Sequence, residues 1–136
     1  MKLLVTALVL LSSTAFAQIP DATDVLTAIL PVGSYSGSYN NRPCKVSVKK
    51  TANGVQVTAS NDSLVRVREV ARGSVYFARR QGQFLSTEKF ATNDGTRENI
   101  LRTTPVTETQ QYVVVADHFI ANRNNYEMAV ECVVDL

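Results

Sequence analysis

The sequence has no tryptophan, one histidine and two cysteines, and neither sign of charge dominates its 136 residues. Each scarcity removes a class of function. One imidazole and two cysteines cannot assemble a zinc site without carboxylates, and the acids here stand at unhelpful spacings. No glycine-rich loop of the kind that cradles phosphates is present. The acids are scattered singly, so no carboxylate pair suited to glycoside hydrolysis can be read. A formal charge of +2 lacks the strong basic excess of a nucleic-acid-binding chain. No cofactor and no metal are expected.

Long apolar runs are also missing, with one exception at the start. Leu3 to Leu11 is apolar apart from Thr6, Lys2 precedes it, and Ala15-Phe16-Ala17 supplies small residues around a cleavage point. Residues 1–17 therefore read as a secretory signal peptide. The run is too short to cross a bilayer, which needs about 20 residues. The expected mature product is a single domain, residues 18–136, secreted or, in a Gram-negative bacterium, periplasmic, and not membrane-spanning. Cys44 and Cys132 both lie in it, and an even cysteine count in an exported chain reads as one disulfide.

What is present is strand periodicity. A brief helix comes first: Asp21 can cap it, Val25, Leu26, Ile29 and Leu30 share a face, and Pro31 and Gly33 stop it. After Gly33 apolar and polar residues alternate, as at Cys44/Val46/Val48 and from Tyr126 to Leu136. Such alternation marks strands with one buried face, typical of antiparallel sheets. Turn residues such as Asn53-Gly54, Arg72-Gly73 and Asn93-Asp94-Gly95 separate eight or nine strands. The expected strands fall near 34–39, 44–51, 55–60, 64–70, 74–80, 83–90, 97–103, 109–119 and 126–136. Short connections make this a meander. A disulfide between the second strand and the last returns its end to its beginning. The predicted fold is all-β: a small antiparallel meander closed into a barrel, with one short N-terminal helix. A two-sheet β-sandwich is the alternative.

Little here suggests catalysis. His118 follows Asp117, but Gly33-Ser34-Tyr35-Ser36-Gly37 has tyrosine where a nucleophile elbow needs serine. No catalytic residue is assigned, and a hydrolase around His118 is the weakest of three readings. The second is a carrier for a small apolar ligand, its cavity lined by Tyr35, Tyr39, Tyr112, Tyr126, Phe84, Phe90 and Phe119. The first rests on charge. Residues 64–83 hold Arg66, Arg68, Arg72, Arg79 and Arg80 against Glu69 alone. A hairpin turning at Ala71-Arg72-Gly73 places Val65, Val67, Val75, Phe77 and Arg79 inside. It then places Arg66, Arg68, Tyr76 and Arg80 outside. Arginine and tyrosine are enriched where proteins bind, and arginine prefers carboxylates and phosphates. That face would dock an anionic partner, whether a protein, a lipid or a cell-wall surface, and make the protein a binding or inhibitory module.

The helix, Gly33-Ser34-Tyr35 and the disulfide-tied meander resemble lipocalins in outline, although that family has tryptophan where this chain has Tyr35. The small bacterial lysozyme-inhibitor barrels are similar in being exported and disulfide-tied. Neither resemblance carries a functional residue onto this sequence.

Overall fold

Alternation of apolar and polar residues becomes a curled sheet in the computed structural model, which describes residues 19–121 and 124–136, without side chains for 120–127. The signal-peptide expectation lies outside the described residues. The helix α1 (Ala22–Ile29) forms where expected. Asp21 caps it, accepting the Thr23 N–H at 2.9 Å, and Leu26 and Leu30 are fully buried. An apolar face on so short a helix needs a partner, and α1 packs against the barrel interior.

Eight strands follow: β1 (Gly33–Tyr39), β2 (Arg42–Lys50), β3 (Gly54–Asn61), β4 (Val65–Ala71), β5 (Phe84–Thr92), β6 (Gly95–Pro105), β7 (Gln110–Ala121) and β8 (Asn124–Asp135). Asn40 and Asn41 both take left-handed conformations, with φ of 50° and 63°, and make the tight two-residue turn between β1 and β2. The strand order is β4-β3-β2-β1-β8-β7-β6-β5, antiparallel throughout, so the first strand pairs with the last. The meander returns on itself as a nearly closed barrel, and Cys44 and Cys132 are bridged with Cα atoms 5.8 Å apart. Inside, Val46, Val57, Val70, Phe84, Leu101, Val113 and Val130 form one core with the helix leucines.

The return contact is short. Only Gly37 and Ser38 of β1 pair with β8, opposite Val134 and Val133. A Cβ on Gly37 would lie 2.0 Å from the Val133 carbonyl oxygen, so glycine is what lets these backbones meet. Deeper in the second half of the sheet, β7 is buried on both faces from Val113 to Ala116. Val113 and Val115 enter the core, while Val114 and Ala116 are 2% exposed on the outer side. Arg102 and Glu131 are the cross-strand neighbours of Val114.

One expected strand does not form. Residues 74–80 make a single bridge, Phe77 to Leu85, in place of a hairpin with β4. Gly73 does take the left-handed conformation, with φ of 76°. Beyond it the chain is drawn across the helix end of the barrel. The Gly73 N–H donates to Asp21 at 2.9 Å. The Tyr76 hydroxyl donates to the Pro20 carbonyl at 2.6 Å, and its ring stacks on Phe84 with centroids 5.6 Å apart. Nothing in local alternation signals these long-range anchors.

Candidate docking surface

The missing hairpin reverses the face that β4 presents. Paired residues in an antiparallel ladder share a side of the sheet. Val70 pairs with Val55 and Arg68 with Val57, and both β3 valines are in the core. Arg68 and Val70 therefore point inward, and Val65 and Val67 point out. Val65 and Val67 lie on one phase of β4 and Val70 on the other, and pairing with Val55 decides in favour of Val70.

The four residues predicted to form one outer face are accordingly split. Arg68 is buried, 7% exposed, and its Nη1 donates to Glu88 Oε2 at 2.9 Å and to the Glu69 carbonyl at 2.8 Å. Arg66 is half-buried, with Nε 3.7 Å from Asp117 Oδ2 and 3.4 Å from the Met128 carbonyl oxygen. Tyr76 is half-buried between Phe84 and Pro20. Only Arg80 stands in solvent as expected. Arg79, expected inside, is exposed instead, because its segment has no strand phase to obey.

The residues expected in the core line the outside. Val65, Val67, Val75 and Phe77 are 58%, 50%, 74% and 53% exposed. They follow the gap between the terminal strands β4 and β5, the one place where the barrel has no ladder. Beside Phe77 lies an open pocket of about 320 Å³, with Phe77 and Leu85 supplying apolar walls and Arg79 and Arg102 supplying charge. Arg79, Arg80 and Arg102 are exposed and have no ion-pair partner among the described residues. Arg102 and Leu85 were missed in the sequence because each stands alone on a strand, and only strand order brings them beside Phe77.

Other candidate chemistry is dispersed. His118 and Asp117 are consecutive on β7 and so project to opposite faces. Asp117 meets Arg66, and His118 stands across from Glu98. Ser34 and Ser36 face outward while Tyr35 turns in. The expected aromatic lining is distributed too. Phe84 belongs to the core, Tyr39 and Tyr112 lie with ring centroids 5.8 Å apart, and Arg97 sits over Phe119. The side chain of Tyr126 lies outside the described residues. Burial, a hydrogen bond to Glu131 and the neighbouring Tyr39 hold the Tyr112 hydroxyl far above the usual phenol range. Among the described residues no helix is long and apolar enough to cross a membrane, and no cluster of histidine, cysteine and carboxylates is placed to hold a metal. No protein-family model, curated protein or solved structure matches the chain.

Proposed function

We propose that the protein is an exported, non-enzymatic binding module that docks an acidic protein partner along the gap between β4 and β5. The observation that carries the reading is the pocket where the exposed Phe77 meets Arg79 and Arg102, neither of which has an acid partner among the described residues, on a side of the barrel where Val65, Val67 and Val75 are also exposed. Exposed apolar side chains with an aromatic beside arginines match the composition of a protein interface, where an aromatic anchor and arginine supply most of the energy. A purely electrostatic ligand such as an anionic polymer would have no use for the valines. The intramolecular disulfide is consistent with an extracellular or periplasmic setting. An unpartnered apolar band in such a setting is a liability unless something covers it.

The test is selection from a displayed library of random dodecapeptides. Enriched sequences should place Asp or Glu next to an apolar residue, and their affinity should fall as salt rises from about 0.05 to 0.5 M. Phe77→Ser, and separately Arg79→Ser with Arg102→Ser, should each weaken the selected peptides at least about tenfold while leaving the thermal melt in place. Selection without acidic enrichment, or equal binding by these variants, would overturn the proposal.

A further inference from the structure

Between β4 and β5 lies a second, smaller pocket whose wall includes charged and hydroxyl side chains. It has a volume of about 240 Å³, and Arg68, Ser86, Glu88, Ala71 and Val75 line it. Arg68 is 7% exposed and Ser86 1%. Arg68 Nε and Ser86 Oγ are both buried and have no hydrogen-bond partner among the described residues. An arginine keeps its charge at any depth, and a buried donor without an acceptor is costly. Two residues that line one pocket thus carry buried groups with unmet hydrogen-bonding capacity.

The guanidinium already has one counter-ion, and that pair is lopsided. The Arg68 side chain is 8% exposed, whereas the Glu88 side chain that meets it is 62% exposed. The cation is fixed in the wall; the anion reaches in from solvent and is free to leave. Any second carboxylate that entered would meet the same buried charge and two further hydrogen-bonding groups that Glu88 leaves unused.

We infer that this pocket is a carboxylate-exchange site, in which an Asp or Glu side chain of the docked partner takes the place of Glu88 on Arg68 and also engages Ser86. The inference rests on the docking reading above and names its anchor. Exchange keeps the charge balance of the buried guanidinium unchanged, since one carboxylate leaves as another arrives. Arginine suits this task because its planar fork binds a carboxylate through two N–H groups at once. The geometry also makes Glu88 an internal competitor: in the free protein it occupies the cation that the partner needs.

The experiment uses the disulfide-bonded chain, labelled with nitrogen-15, and follows the Nε–H resonance of Arg68. The probe is the capped pentapeptide Ala-Val-Glu-Val-Ala, with its glutamine counterpart as control. The glutamate peptide should move the Arg68 resonance to saturation, and the glutamine peptide should not. Glu88→Gln should tighten the glutamate peptide at least about fivefold by removing the competitor. Ser86→Ala should weaken it at least about twofold while the melting temperature holds or rises, because an unsatisfied buried hydroxyl is lost. If Glu88→Gln fails to fold, Glu88→Asp replaces it, since the shorter acid competes less well and should tighten binding in the same direction. Equal responses to both peptides, or no gain on weakening the competitor, would overturn the exchange. Should Phe77→Ser still weaken the peptides selected from the library while the Arg68 resonance stays unmoved, the exchange fails and the docking surface stands. If those peptides ignore Phe77 as well, the docking surface itself is wrong.

Discussion

The barrel is two four-stranded halves, and the two places where they meet are built in opposite ways. Where β1 meets β8, two residue pairs, a glycine pressed against a carbonyl and a disulfide join backbone to backbone. Where β4 approaches β5 there is no ladder. Among the described residues the connection is made by side chains of β4, Arg68 to Glu88 and Arg66 to Asp117, and by one bridge from Phe77, in the segment after β4, to Leu85. The first junction is covalent and needs no side-chain polarity. The second is polar, incompletely satisfied and edged by exposed valines. The difference shows how one closed edge permits another to remain open: a barrel tied on one side can leave the opposite side available for a partner.

The largest expected effect comes from cutting the tie. With only two ladder pairs behind it, replacing Cys44 and Cys132 by alanine should cost about 4–5 kcal/mol, the loop-closure value for an 88-residue separation before any native strain is subtracted. Chemical denaturation of the double variant measures it, and a loss under about 1 kcal/mol would show that the junction does not depend on the bridge. Gly37→Ala attacks the same junction without touching sulfur. Its new methyl would lie 2.0 Å from a main-chain oxygen, so β1 must move, and a loss of about 2–3 kcal/mol is expected. Faster amide exchange confined to β1 and β8 would locate the damage.

A smaller effect is expected beside the open side, and it depends on pH. Hydrogen bonds from the Thr23 side chain, the Thr23 N–H and the Gly73 N–H hold the Asp21 carboxyl below its usual value of 3.8. A carboxyl whose folded pKa is depressed contributes stability that is fully present above the unfolded value. That contribution disappears as pH falls through the folded value. Thermal melts between about pH 5 and pH 2 should therefore steepen their decline below about pH 4, and Asp21→Asn should flatten that limb. An unchanged acid limb in Asp21→Asn would mean that the tie between the helix cap and the chain leaving β4 carries no weight.

Much of this architecture was legible before any coordinates. The helix and its cap follow from local residues, Asp21 at one end and Pro31 with Gly33 at the other. The return of the last strand to the first follows from covalent reach, because Cys44 and Cys132 are in phase with core valines on their strands. The error lay where a local rule competed with a distant one. Residues 74–80 alternate like a strand, yet Tyr76 is claimed by Pro20 and Phe84, far off in sequence or across a turn. Once that strand vanishes, only β3 determines which side of β4 is buried, and Val55 and Val57 outvote Val65 and Val67. The candidate surface therefore kept its location near β4 but exchanged its chemistry there, with Val65 and Val67 outside and Arg66 and Arg68 within.

The double burial of β7 has a consequence for how the molecule breathes. A strand whose middle, Val113 to Ala116, is covered on both sides and which is laddered to β6 and β8 is costly to expose. In strand order neither of the two meeting places includes it, and Arg66 to Asp117 is a side-chain contact that can part without breaking its ladders. Local opening at the β4–β5 gap, or fraying of the short β1–β8 contact, can proceed while β6, β7 and β8 keep their hydrogen bonds. Such sub-global openings lie well below the free energy of complete unfolding. The barrel thus has a rigid spine three strands wide, and flexibility at its two margins need not be a step toward denaturation.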